Sequence, residues 1–290
     1  MKAAPFAYHD PRTLAETLGL LATLEDVKLL AGGQSMMPMM NMRFLQPENV
    51  VDINRTEGLS GIREDFAAGM LRIGAMTRQN ALMSSEAVAR SCPMAPRALT
   101  HVGHFQTRNR GTIGGSLCHL DPAAELPLVM LLHDAVLTVR SHEASREVPM
   151  AEWPLAYMLP SIAPEELLVE IALPLAPGWS GAGFVEFTRR HGDFAIASAG
   201  CLLSLDDEGV IRRAAVGLGG VAQTPVRVPE AEAVLVGERP DEAPFAAAAA
   251  AASKIEALSD SYFSAGYRQR LAGVLVRRAL AQAAAETEAA

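Results

Sequence analysis

Lys28-Leu29-Leu30-Ala31-Gly32-Gly33-Gln34-Ser35 carries an apolar, strand-like segment, Val27 to Leu30, straight into two glycines and two small polar residues. Glycine reaches positive φ without steric cost and lets a ligand approach the main chain, and successive N–H groups in such a turn form a concave seat for an anion. A lone Gly-Gly is better explained as a tight turn. The choice rests on whether the chain holds a second loop of this kind. It does, in Gly111-Thr112-Ile113-Gly114-Gly115-Ser116-Leu117-Cys118-His119-Leu120-Asp121-Pro122. There Asp121 and Pro122 are expected at the N-cap and first position of a helix, Ala123 to His133, whose first turn offers N–H groups and a positive dipole end.

Around the first loop the pattern is helix, strand, loop, strand. Thr13 and Glu16 have capping-box spacing ahead of Leu14, Leu18 and Leu21, and Asn49 to Ile53 reads as a second strand, so a small α/β unit is expected over residues 1–57. A second unit, 58–176, is expected to hold the strand Leu71 to Ala75, a helix capped by Thr77, another between Pro93 and Val102, the second glycine loop, and strands at Ala135–Arg140, Arg146–Pro149 and Leu167–Ile171. Prolines, glycines and Trp179 between Pro174 and Gly183 mark a linker. Beyond it, Phe184–Arg189, Ala195–Leu205 and Val210–Gly217 read as an antiparallel meander with a hairpin at Asp206-Asp207-Glu208-Gly209, followed by helices that include the alanine-rich stretch after Ala243. Residues 177–290 are therefore expected to form a third unit of antiparallel sheet plus helices, and the fold class is α+β.

At 290 residues with a net charge of −8, the chain can bury a sizeable core and presents no basic surface for nucleic acid or anionic membrane. No apolar run reaches spanning or signal-peptide length, so a cytoplasmic protein without membrane insertion is expected. Cys92, Cys118 and Cys201 form no Cys-x-x-Cys pair, which leaves any iron–sulfur cluster to another chain. The methionine run Met36 to Met42 lacks the partner ligands of a copper site and is expected to fill core space. His101, His104, Cys118, His119 and Asp121 match no recognised zinc spacing, and no metal site is assigned.

Two anion-binding loops at strand or helix ends suit a ligand with two phosphates. Neither loop has G-x-G-x-x-G with a following ribose-binding acid, and no G-x-x-x-x-G-K-[ST] occurs, so the Rossmann and P-loop classes are set aside. The remaining inference is a diphosphate cofactor held without a metal, with FAD as the leading candidate.

The two loops, with Val51-Asp52-Ile53, Arg108 to Glu125, Arg190-His191-Gly192-Asp193-Phe194-Ala195 and Leu218 to Arg227, resemble the FAD-binding medium subunit of molybdenum hydroxylases, the carbon monoxide, xanthine and N-heterocycle dehydrogenase type. That resemblance implies an FAD-binding fold of the vanillyl-alcohol-oxidase-like (PCMH) type in two α/β subdomains, then a C-terminal domain. It implies that Ala31, Gly32, Gly33, Gln34 and Ser35, together with Thr112, Ile113, Gly114, Gly115 and Ser116, hold the FAD diphosphate and ribityl through backbone N–H groups and hydroxyls. Asp121 would accept hydrogen bonds from the cofactor, Lys28 would supply a counter-charge, and Phe194 would lie beside the isoalloxazine where some relatives have tyrosine. A core aromatic is the competing reading of Phe194, and an Asx turn that of Asp193. The resemblance further implies a molybdopterin-binding large subunit and a small subunit with 2Fe–2S clusters as partners, in a dimer of heterotrimers, with electrons passing through FAD to an external acceptor. No acid–base catalyst is assigned. A self-contained flavin oxidase and a flavin-free structural subunit of the same fold are the alternatives.

Overall fold

The computed structural model describes residues 2–287. Its first layer is a three-stranded parallel sheet built from β1 (Ala7–His9), β2 (Val27–Leu30) and β3 (Asn49–Asp52), in the order β1-β3-β2. The helix α1 (Leu14–Thr23) starts where expected. The Thr13 hydroxyl accepts from the Glu16 N–H at 3.2 Å, and the Glu16 carboxylate accepts from the Thr13 N–H at 3.1 Å. Leu18 and Leu21 carry its buried face onto Val51 and Ile53. After β2 the glycine loop leads into α2 (Met36–Asn41).

The second layer is a five-stranded antiparallel sheet, β4-β5-β10-β6-β7, from β4 (Ile62–Asp65), β5 (Met70–Gly74), β6 (Val136–Arg140), β7 (Ser145–Pro149) and β10 (Leu167–Pro174); β8 (Pro154–Ala156) and β9 (Leu159–Pro160) form a small hairpin. Between β5 and β6 the chain makes six helices: α3 (Gln79–Met83), α4 (Glu86–Ser91), α5 (Met94–Leu99), α6 (Phe105–Arg110), α7 (Ile113–His119) and α8 (Glu125–Leu132). Their apolar faces and the sheet make the largest core, with Trp153 fully buried and its indole N–H donating to the Leu117 carbonyl at 2.8 Å.

The helices here depart from the sequence reading in three ways. Thr77 does not cap α3, because its hydroxyl is spent on both backbone groups of Gly61, at 3.0 Å each, and Arg78 takes the cap position. The polar stretch from His104 to Arg110 is itself helical in α6, which buries no side chain and so shows no apolar period. Finally, α8 starts two residues later than expected, with Ala124 at its cap; the Asp121 carboxylate accepts from the Ala123 N–H at 2.8 Å in a turn ahead of the helix.

The third layer is the antiparallel sheet of β11 (Gly181–Phe187), β12 (Ala197–Leu205), β13 (Ile211–Gly219) and β14 (Val226–Arg227), in sequence order, with α9 (Pro229–Ala233), α10 (Glu242–Ala252) and α11 (Ala265–Thr287). Alternation along β12 sorts its two faces. Ala197, Ala199, Cys201 and Leu203 pack with the helices, whereas Leu202 joins the large core through Ala182, Phe184 and Ala215. The sheet is thus a shared wall between the C-terminal helices and the second layer. Gly181 and Gly183 sit directly under α11, where a Cβ would collide with the carbonyl oxygens of Ala283 and Ala279. No described helix is long and apolar enough to cross a membrane.

Candidate cofactor cleft

The first loop leaves β2 with its donors unspent. Among the described residues the backbone N–H groups of Gly32, Gly33, Gln34 and Ser35 enter no hydrogen bond. Gly33 has φ +73°, the left-handed region that glycine enters freely. Gly32 serves a different purpose. It meets the second loop backbone to backbone, and a Cβ there would strike the Arg110 carbonyl oxygen and come within 2.8 Å of the Gly111 Cα.

The second loop is not the anion nest that its Gly-Gly-Ser suggests. It is the first turn of α7, and its donors are already used: Ile113 N–H to Thr77 O at 3.1 Å, Gly114 N–H to Ala75 O at 2.8 Å, and Gly115 N–H to the capping Thr112 hydroxyl at 3.1 Å. Nor does it follow a strand, because α6 precedes it. Its glycines are there for contact. A Cβ on Gly114 would lie 2.7 Å from both the Cβ and the carbonyl oxygen of Ala75, and one on Gly115 would lie 2.8 Å from the Thr112 hydroxyl. The second loop therefore offers the Ser116 hydroxyl and the positive end of α7, while the longer run of free backbone donors lies on the first loop.

A polar clasp holds the two loops together. Asn54 donates to the Ala31 carbonyl at 2.8 Å and to Asp52 at 2.6 Å, and accepts from Arg78 at 2.6 Å. The same guanidinium also donates to the Arg110 carbonyl, so Arg78 bridges from the first loop's support to the chain entering the second. Burial, with repulsion from Arg110, lowers the Arg78 pKa. Asp52 accepts a further hydrogen bond from the Tyr8 hydroxyl at 2.7 Å; burial opposes its ionisation, but the bonds from Tyr8 and Asn54 outweigh it and its pKa is lowered.

Between the loops lies a cleft of about 660 Å³. Lys28, Ala31, Gly32, Gly33, Gln34, Ser35, Thr112, Gly114, Gly115, Ser116, Asp121 and Phe194 all line it. Ile113 does not: its side chain is fully buried in the large core. Met36 and Met39 also face the cleft, and of the methionine run only Met40 is buried, so the expectation of a core filler holds for one residue. Phe194 is 75% exposed at the rim, which excludes the core reading. Its turn is placed by Gly192 (φ +85°), packed on the His104 ring, and by buried Arg268 of α11, which donates to the carbonyls of Ile196 and Gly220.

FAD fits these residues on two observations. The backbone N–H groups from Gly32 to Ser35, on the loop that lines the cleft, are unspent and can meet an anionic group. Gln79, 6% exposed and on the cleft wall, keeps a buried amide oxygen without a partner, which is the mark of a group awaiting a ligand. The sequence reading missed Asn54, Arg78 and Gln79. The signal was slight, short polar runs, Asn54 to Glu57 and Thr77 to Asn80, separated from the ends of β3 and β5 by one and two residues.

A cleft with free main-chain donors on its lining loop suits a cofactor that carries a diphosphate. Residues 4–176 match the family model described as the FAD binding domain in molybdopterin dehydrogenase, and residues 182–283 match the CO dehydrogenase flavoprotein C-terminal domain. The chain is 40% identical to the 6-hydroxypseudooxynicotine dehydrogenase complex subunit alpha of Paenarthrobacter nicotinovorans, over 98% of this chain and 96% of that one. It is 36% identical to the carbon monoxide dehydrogenase medium chain of Afipia carboxidovorans, over 98% of each. Among solved structures, quinoline 2-oxidoreductase from Pseudomonas putida 86 superposes with a TM-score of 0.94 at 33% identity, covering 99% of each chain. The carbon monoxide dehydrogenase of Hydrogenophaga pseudoflava gives 0.93 at 37%, also over 99% of each. The chain belongs to the family of FAD-binding medium subunits of molybdenum hydroxylases and is an oxidoreductase component.

Proposed function

We propose that this chain is the exit station of a cytoplasmic molybdenum hydroxylase, carrying electrons from 2Fe–2S clusters on a small partner subunit to an external acceptor, while a molybdopterin-binding large subunit hydroxylates the substrate. The observation that supports it best is the row of unspent N–H groups from Gly32 to Ser35, on a loop that lines the cleft together with the start of α7. In this reading those four groups bind the diphosphate, with the α7 dipole and Lys28 offsetting its charge. Ser116, Asp121 and the Gln79 amide meet hydroxyl or ring groups, and Phe194 covers the outer face of the flavin. The bound flavin supplies both one-electron and two-electron redox chemistry. The protein's part is to hold it, to fix its orientation between the loops, and to leave one edge reachable at the Phe194 rim. The division into residues 1–57, 58–176 and 177–290 assigns the first loop to one unit, the second to the next, and the rim to the third.

The test is anaerobic. Substrate added to the FAD-loaded subunit alone is expected to leave the flavin absorption unchanged, and bleaching is expected once the iron–sulfur and molybdopterin subunits are present. Bleaching in the isolated subunit would show a self-contained oxidase instead.

A further inference from the structure

Where α8 meets the C-terminal sheet, an otherwise apolar contact contains a polar hole. Glu186 on β11, Ser198 on β12 and Gly219 on β13 are direct cross-strand partners, so they form one row on the sheet face that looks toward the second layer. Both carboxyl oxygens of Glu186 and the hydroxyl of Ser198 are buried without a hydrogen-bond partner, and Ser198 is fully buried. Glu125, at the start of α8, brings its carboxyl against that of Glu186 and also lines the cleft. Among the described residues neither carboxylate is paired with a cation. The nearest other charge is Asp121, which adds repulsion to Glu125. Of the imidazoles nearby, His119 on the cleft wall and His101, its ring 5.7 Å from Phe184, are both kept toward the neutral form by burial.

Two carboxylates without a counter-ion cannot both stay ionised in such a place. We propose that Glu125 and Glu186 share one proton across the seam between the second layer and the C-terminal sheet, and that binding of the anionic cofactor in the adjoining cleft is coupled to binding of that proton. Burial, with repulsion from Asp121, pushes Glu125 up to about 7, and burial, with repulsion from Glu125, pushes Glu186 up to about 8. These macroscopic values belong to the pair. With the cleft empty, the pair passes from two protons through the shared one to none as pH rises through this range. With a diphosphate bound nearby, the added negative charge holds the proton to higher pH. Binding therefore takes up a proton, and FAD affinity is level at acid pH and falls as pH rises above about 7, toward tenfold per unit.

This inference rests on the FAD reading, and its test keeps the two apart. FAD is titrated into the flavin-stripped full-length subunit by calorimetry at pH 6 and pH 8, in two buffers of different ionisation heat. FAD binding at pH 6 upholds the reading, and absence of binding at both pH values defeats the reading itself. Uptake of a fraction of one proton at pH 8 in the wild type supports the coupling; FAD binding without proton uptake at pH 8 overturns it. In Glu186→Gln the amide can donate to Glu125 and hold it ionised, so uptake at pH 8 is expected to vanish while binding at pH 6 stays close to wild type. Persistence of the uptake in that variant would assign it to another group, His119 first, and would overturn the proposal. If the variant fails to fold, the wild-type proton count decides alone.

Discussion

Gly32→Val yields a folded subunit that no longer retains FAD. The new side chain has no space to occupy, because the Arg110 carbonyl and the Gly111 Cα already stand where its Cβ must go. The obstacle is backbone held by the Arg78 guanidinium, not the flexible end of a side chain, so the loops can accept the valine only by moving apart. Overpacking of this kind costs about 3 kcal/mol, and if the cost falls on the loop-closed state it weakens FAD binding roughly a hundredfold. Gly32 contributes no side chain to a core, so circular dichroism should match wild type while flavin content after gel filtration falls to near zero. Normal flavin content would show that the seam is not part of the site. Gly33→Val is the milder companion, since its φ of +73° adds strain but its nearest neighbours are the side chains of Leu30 and Met37.

Gly183→Val acts on stability. At this position β11 lies so close under α11 that a Cβ would collide with the Ala279 carbonyl oxygen and come within 2.8 Å of its carbon. The helix must lift, which exposes part of the core formed by Ala272, Val276, Ala279 and Leu280 against Cys201 and Leu203. A loss of about 3 kcal/mol or more is expected, read as a clear drop in the thermal midpoint. An unchanged midpoint would mean that α11 is not docked as described.

These two glycines show what could and could not be read in the chain. The Thr13–Glu16 box, the β2 turn and the Asp206–Gly209 hairpin are local devices, each complete within a few residues, and each was legible. Gly114-Gly115 was not, because glycine is a poor helix former and its local meaning is a turn. What overrides it is a distant contact, the Ala75 backbone pressed against the first turn of α7. The same holds for the donors. The sequence shows where N–H groups could be free but not that Ala75, Thr77 and Thr112 consume those of the second loop. Asn54, Arg78 and Gln79 come from segments that only the fold brings to one seam, as do Glu125 and Glu186, so no spacing in the chain announces them. Of the residues that the sequence singled out, all but Ile113 line the cleft, because they lie in three short motifs; Ile113, at the first position of α7, is buried in the large core instead.

The central claim is that the cleft between the two glycine loops holds one flavin. Its most direct test is the visible spectrum of the purified subunit after incubation with excess FAD and removal of the unbound cofactor. The account predicts flavin bands corresponding to one FAD per chain. A colourless protein that remains folded would contradict it.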